Sequence, residues 1–205
     1  MIVMMKKCVF SILTGLALIG PYTEVSAQAF AVGDNVIGLS VGVGGHYRAY
    51  NSYTAQTPAI GLQYEHALTE LGPGVLGLGG LVGYKTLAYR SRAGWPPGHA
   101  NSFYEYDYRW SYLMIGVRGA WHYNEWHGIP ELDVYGGLMI AYNSVTYRDR
   151  TPYPAGVYST YHYGGGNVGA SIFLGTRYFL TPNVGAQLEL GYGISVISLG
   201  VVFKF

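Results

Sequence analysis

The chain has 205 residues, with 31 glycines, 21 tyrosines, and only 12 basic and 11 acidic side chains. Charged residues make up 11% of it, against roughly 25% in soluble domains, and the half of the chain that is apolar excludes a disordered protein. A formal net charge of +1 provides no basic surface for neutralising phosphates, so nucleic acid is not expected as a partner. The length indicates one domain, or at most two small ones.

The N-terminal residues have the pattern of a secretory signal peptide. Lys6 and Lys7 precede an apolar run from Cys8 to Gly20, and Val25-Ser26-Ala27 supplies the small residues at which such segments are cleaved. The run is 13 residues long, whereas a bilayer-spanning helix needs about 20. We therefore predict a signal peptide over residues 1–27 and a single β-barrel domain over residues 28–205.

Beyond this segment, apolar residues alternate with small or polar ones, which predicts β-strands. The clearest segment is Val184 to Tyr192, and turn-forming Gly, Pro, Asn and Asp separate it from its neighbours. Eight such segments occur, with these residues sharing the apolar face: Ile37, Leu39, Val41, Val43 and Tyr47; Ile60, Leu62, Tyr64 and Leu68; Leu76, Leu78, Val82 and Tyr84; Leu113, Ile115, Val117, Trp121 and Tyr123; Leu132, Val134, Leu138, Ile140 and Tyr142; Val168, Ala170, Ile172, Leu174, Tyr178 and Leu180; Val184, Ala186, Leu188, Leu190 and Tyr192; Ile197, Leu199, Val201, Phe203 and Phe205.

The polarity of the two faces favours a membrane barrel over a soluble one. In a soluble barrel the apolar face would point inward, and a few charges among many glycines would have to keep the outer surface soluble. With the apolar face toward lipid, each segment has the roughly 9 to 11 residues that a tilted membrane strand needs. The predicted fold is therefore all-β: a transmembrane eight-stranded antiparallel up-and-down β-barrel.

Connection lengths indicate the orientation of this barrel, because membrane barrels have short periplasmic turns and longer external loops. The predicted periplasmic turns are Thr69 to Gly74, Asn124 to Pro130 and Thr181 to Asn183. The predicted external connections are Ala49 to Thr57, Ser91 to Tyr106, Tyr147 to Gly165 and a short one near Ile194 to Val196.

Aromatic residues cluster near both predicted membrane interfaces, which is typical of the girdles of membrane barrels. The periplasmic group is Tyr64, Tyr123, Trp126, Tyr178, Phe203 and Phe205, and the outer group is Tyr47, Tyr84, Tyr142 and Tyr192. Ordinary β-propensity of tyrosine is the alternative interpretation.

Charged and amide side chains fall on the face opposite the lipid-facing residues, which predicts that they meet in the lumen. Burying one charge alone costs several kcal/mol, so we predict a mutually paired structural network. Its predicted members are Gln63, Glu65, Arg118, Asp133, Arg177, Gln187 and Glu189, with Lys204 at the rim, while Lys85 is expected near the outer mouth. The interior of an eight-stranded barrel is just wide enough for side chains to fill, which favours a plug over an ion or proton pathway.

The C-terminal sequences GTRYFLTPNVGAQLELGYG and GYGISVISLGVVFKF resemble the last strands of small Gram-negative outer-membrane β-barrel proteins of the OmpA, OmpX and OmpW types. The likeness covers the chain beyond residue 27 as a pattern and is sharp over the last forty residues. It implies insertion by the outer-membrane assembly machinery, with Phe203 and Phe205 in the C-terminal assembly signal, and location in the cell outer membrane.

The resemblance does not decide an activity, because this fold includes structural proteins, adhesins, small porin-like channels and lipid-modifying enzymes. We expect a structural or surface-interaction protein in contact with outer-membrane lipid, with an external ligand or protein at Ser91 to Tyr106 and Tyr147 to Gly165. A small channel for ions or apolar solutes is the alternative, with a lipid-modifying barrel enzyme behind it. An enzyme is not expected, since Ser159 and His162 alone are weak evidence for a nucleophile and base. No cofactor or metal site is expected.

Overall fold

The computed structural model of the chain describes residues 29–45, 55–94, 103–151 and 162–205. The regular elements in these ranges are β-strands: β1 Asn35–Val43, β2 Ala55–Gln56, β3 Ala59–Leu71, β4 Gly74–Gly94, β5 Phe103–His122, β6 Leu132–Asp149, β7 His162–Phe179, β8 Val184–Gly191 and β9 Ile197–Lys204. The predicted signal peptide, residues 1–27, lies outside the described residues. In the described ranges, no helix is long and apolar enough to cross a membrane.

Eight of the strands form a closed antiparallel ring. Neighbours pair all along the order β3-β1-β9-β8-β7-β6-β5, and the pairings of β4 with both β3 and β5 close it. The two-residue β2 pairs with β4 outside this ring. The predicted eight-stranded up-and-down barrel is thereby confirmed, and closure leaves neither edge of the sheet without a neighbouring strand.

The two ends of the ring differ in their connections. At one end, here called the turn end, strands are joined through residues 72–73, 123–131 and 180–183. Phe205 also lies at the turn end, where its backbone exchanges hydrogen bonds of 2.9 and 3.0 Å with Asn35. The opposite end, here called the loop end, carries the connections 44–58, 95–102, 150–161 and 192–196, which are longer on average than those of the turn end, although 95–102 is shorter than 123–131.

The boundaries of the longer connections differ from those expected. The sequence predicts loops at 91–106 and 147–165, but β4 and β5 leave only residues 95–102 between them, and β6 and β7 leave only residues 150–161. The predictions were wrong at the loop ends because Tyr and Arg residues there continue the strand ladder. Cross-strand ring pairs such as Tyr147 and Tyr163, with centroids 4.9 Å apart, stabilise this extension.

The outer surface of the ring is apolar, and charges are found inside. Val117 and Ile140, neighbours on β5 and β6, are 63% and 65% exposed, whereas Arg177 is completely buried. Such a surface is stable in lipid and would aggregate in water.

Exposed aromatic residues lie near the two ends of the barrel. They are Tyr64, Trp121, Trp126, Tyr178, Phe203 and Phe205 at the turn end, and Tyr84, Tyr142, Tyr163 and Tyr192 at the loop end. Tyr123, also predicted for the turn end, is half-buried there and stacks on Trp121, with ring centroids 5.3 Å apart. Tyr47, predicted for the outer group, lies outside the described residues. The described aromatics therefore have the distribution of two interfacial belts.

The lipid-facing surface predicts the effect of a charge placed on it. Val117→Arg puts a cation midway along the exposed face of β5 and should lower the free energy of unfolding in lipid bilayers by about 2–4 kcal/mol. Val32→Arg, at an exposed site before β1, is the control and should cost about 1 kcal/mol or less. Equal effects in urea titrations of the two variants would contradict a membrane-spanning surface at Val117.

Candidate functional site: the barrel interior

Arg177 is the centre of a polar layer inside the barrel. Its Nη1 lies 3.4 Å from Asp133 Oδ2, its Nε donates to Gln187 Oε1 at 3.4 Å, and its Nη2 contacts Glu65 Oε2. Asp133 on β6 and Gln187 on β8 are the register partners of Arg177 on the two strands that flank β7. Glu65 comes from β3, so the ion pair with Arg177 joins non-adjacent strands across the lumen.

His122 connects the two carboxylates that face Arg177. Its Nδ1 lies 2.8 Å from Asp133 Oδ1, and its Nε2 lies 2.9 Å from Glu65 Oε1. Hydrogen bonds from both ring nitrogens to ionised carboxylates require an N–H on each, and so a cationic imidazolium. The ring also packs against Phe30, with centroids 4.1 Å apart.

A second cluster surrounds Arg118 on the loop-end side of this layer. Arg118 Nη2 and Nη1 donate to the two carboxylate oxygens of Glu189 at 2.7 and 3.3 Å, and Nη1 also reaches Gln63 Oε1 at 3.1 Å. The hydroxyl of Tyr135 donates to the same carboxylate at 3.1 Å. Gln63 in turn bonds to Gln187, so this cluster is continuous with that of Arg177.

The two clusters together balance their charges. Three cations, Arg118, His122 and Arg177, face three carboxylates, those of Glu65, Asp133 and Glu189. Aromatic faces cover the guanidinium groups, with Arg118 3.8 Å from the ring centroid of Phe173 and Arg177 4.5 Å from that of Tyr135. Because buried charges are tolerated when paired and hydrogen-bonded, this neutral network can occupy a low-dielectric lumen.

The structure brings seven of the eight predicted interior residues into this network, the exception being Lys204. Lys204 lies nearer the turn end, 3.5 Å from Asp34 and 4.7 Å from the ring of Phe179. The loop-end residue Lys85 is buried and donates to the carbonyl oxygen of Gly44 at 2.8 Å.

Sequence reasoning missed His122, Tyr135 and Phe30. His122 is four residues from Arg118 and Tyr135 two from Asp133, so strand alternation places both on the inward face and could have identified them. Phe30 precedes β1, and no periodic pattern marks it.

Apolar side chains fill the lumen on both sides of the network. A cluster toward the turn end consists of Phe30, Val36, Ala67, Phe179 and Val202. A second cluster, which includes Tyr135, contains Met114, Met139, Phe173 and Ile194. A cavity of about 40 Å³ beside Arg118 and Glu189 has room for water molecules. The described interior is thus a side-chain plug.

Of the two residues considered as nucleophile and base, Ser159 lies outside the described residues, and His162 is exposed at the start of β7. Within the described ranges, no group of three or more His, Cys, Asp or Glu side chains is arranged to hold a metal ion. The arrangement in the lumen is one that neutralises and hydrogen-bonds its own members.

A closed antiparallel ring with an apolar exterior and a paired polar interior defines a transmembrane β-barrel. No family model matches this chain, and no curated protein matches it significantly. Among solved structures, the N-terminal β-barrel domain of Pseudomonas aeruginosa OprF is 18% identical, covering 85% of this chain and 98% of that one, at a TM-score of 0.46.

Two further solved structures are similar at lower identity. Ail, the attachment invasion locus protein of Yersinia pestis, is 13% identical over 85% of this chain and 100% of that one, with a TM-score of 0.42. A de novo designed transmembrane β-barrel is also 13% identical, over 87% of this chain and 100% of that one, with the same TM-score of 0.42. The class of this chain rests on its own ring and surface.

Removing the central cation should unbalance the network. Arg177→Met leaves Glu65 and Asp133 with His122 as their remaining cationic partner, and should lower the free energy of unfolding by about 3–5 kcal/mol in urea titrations of the detergent-solubilised protein. Arg150→Met, at an exposed arginine beyond β6, is the matched control and should change stability by about 0.5 kcal/mol or less. An unchanged Arg177→Met unfolding curve would contradict a stabilising network.

Proposed function

We propose that the protein is an integral β-barrel of the Gram-negative outer membrane whose side-chain-filled lumen makes it a structural or surface-interaction protein. The charge-balanced interior around Arg177 is the observation that carries this proposal. A permeation path needs mobile water and unpaired polar groups along the lumen, whereas here three cations and three carboxylates bind one another between apolar layers. The proposal includes no catalytic activity.

Two segments of the chain support the outer-membrane location. The pattern of residues 1–27 is of the kind that directs export, and Phe203 and Phe205 lie exposed at the turn end with their rings stacked 6.0 Å apart. An exposed aromatic pair at the end of the last strand suits recognition by the outer-membrane assembly machinery. The turn end would then face the periplasm, and the loop end would face the exterior.

Cell fractionation tests the location. The protein should occur in the outer-membrane fraction and migrate faster in gels when the sample is unboiled than when it is boiled, because a folded barrel resists detergent unfolding.

Phe205→Ala should reduce the amount of protein assembled in the outer membrane. Trp126→Ala, which removes an exposed aromatic ring at the same end of the barrel, is the matched control. Recovery of the protein in the soluble periplasmic fraction, without heat-modifiable mobility, would rule out the proposal.

Conductance in planar bilayers tests the closed lumen. The purified barrel should give no steady openings, in contrast to a larger, water-filled porin measured in the same bilayer. The double substitution Arg118→Ser with Phe173→Ala removes two side chains of the plug and should introduce openings. Steady conductance of the unmodified barrel would favour the alternative of a small channel.

A further inference from the structure

The outward faces of β4 to β7 carry polar rows beyond the tyrosines of the loop end. Thr86 donates a hydrogen bond of 3.2 Å to the hydroxyl of Tyr84, which donates one of 3.3 Å to Ser111. Thr86 pairs with Ser111, and Ser111 with Thr146 on β6, in the strand register. A row of hydroxyl groups thus follows the aromatic belt on the membrane-facing side.

The next outward row is cationic. Arg109 is two residues from Ser111 and Arg148 two from Thr146, so alternation puts both arginines on the same outward face. Arg109 and Arg148 are direct register partners, and Arg148 pairs with His162 on β7. Arg148 is exposed and Arg109 half-buried.

These two arginines form no ion pair in the part of the chain that the structure describes. Like charges directly opposite each other on adjacent strands destabilise a sheet. Neither guanidinium forms an ion pair with a described acid, and the buried Nε of Arg109 has no hydrogen-bond partner there. The acid one row further out, Asp107, is paired with Arg90 at 3.4 Å. An anion bound between Arg109 and Arg148 would offset their repulsion.

The order of the rows indicates what kind of anion fits. Moving outward along β5, exposed Val117, Ile115 and Leu113 are followed by Ser111 and then Arg109. Arg109 is four residues beyond Leu113, about 13 Å along the strand and roughly 9 Å along the membrane normal at a tilt near 45°. A molecule whose acyl chains, hydroxylated sugar and phosphate follow one another in this order would match the apolar, hydroxyl and cationic rows. Guanidinium groups bind phosphate through paired hydrogen bonds.

We propose that Arg109 and Arg148 together bind a phosphate group of an acylated glycolipid in the outer leaflet, with Thr86, Ser111 and Thr146 facing its sugar hydroxyls. This site rests on the proposed outer-membrane location and on the loop end facing outward. A lipid bound at this site would set the depth at which strands β4 to β7 sit in the membrane. It would also localise a lipid headgroup to that side of the barrel.

Native mass spectrometry of the purified, heat-modifiable barrel in micelles tests the site with bis-phosphorylated lipid A and with its dephosphorylated form. The unmodified protein should retain the phosphorylated lipid preferentially. Arg109→Gln combined with Arg148→Gln should weaken its binding by about thirtyfold, as expected for losing two cation contacts with a lipid anion. Arg90→Gln, on the same face but paired with Asp107, is the matched control and should weaken binding by about threefold or less.

Equal retention by the double variant, or equal binding of the dephosphorylated lipid, would overturn the phosphate site. Inorganic phosphate that binds the detergent-solubilised barrel as tightly as lipid A does would overturn the assignment to a lipid. Because this assay uses purified folded protein, its failure leaves the fractionation result intact. A periplasmic location found by fractionation would instead contradict the proposed function, and the binding measurement would remain valid.

Discussion

Closure of the ring is the constraint on which the other features of this barrel depend. In hydrocarbon every backbone N–H and C=O must find a partner within the protein, and an antiparallel sheet meets that requirement when its first and last strands pair. Here β1 pairs with β9 from Val36 and Lys204 to Val43 and Ile197. With eight strands, closure leaves an interior that side chains fill, so every inward charge must find its partner there.

Glycine provides the room for this interior. A Cβ at Gly77 would collide with the side chain of Glu65, and one at Gly175 with the ring of Tyr135. Large inward side chains on one strand therefore require small residues on the facing or adjacent strand. The high glycine content of the sequence is thus partly a packing requirement of the polar layer, in addition to its role in turns.

Strand alternation in the sequence predicted which side chains face inward but not which of them meet. The two-residue alternation along a single strand is enough to place Arg118 and Asp133 on the inward face. The contact between Glu65 and Arg177 spans 112 residues and depends on closure of the ring and on the tilt of its strands. Phe30 was missed because it lies before the first strand. The strand extensions at the loop end were missed because Tyr and Arg suit either a loop or an exposed hairpin.

Arginine has two distinct environments in this barrel. Which one an arginine occupies depends on whether its side chain faces the lumen or the outside of the barrel. Arg118 and Arg177 are surrounded by the carboxylates of the lumen, so their charges are neutralised within the chain. Arg109 and Arg148 lie on the outward face beyond the hydroxyl row, where headgroups and water begin. Neither outward arginine forms an ion pair with a described acid, and the glycolipid phosphate proposed above would supply their counter-charge from the outer leaflet.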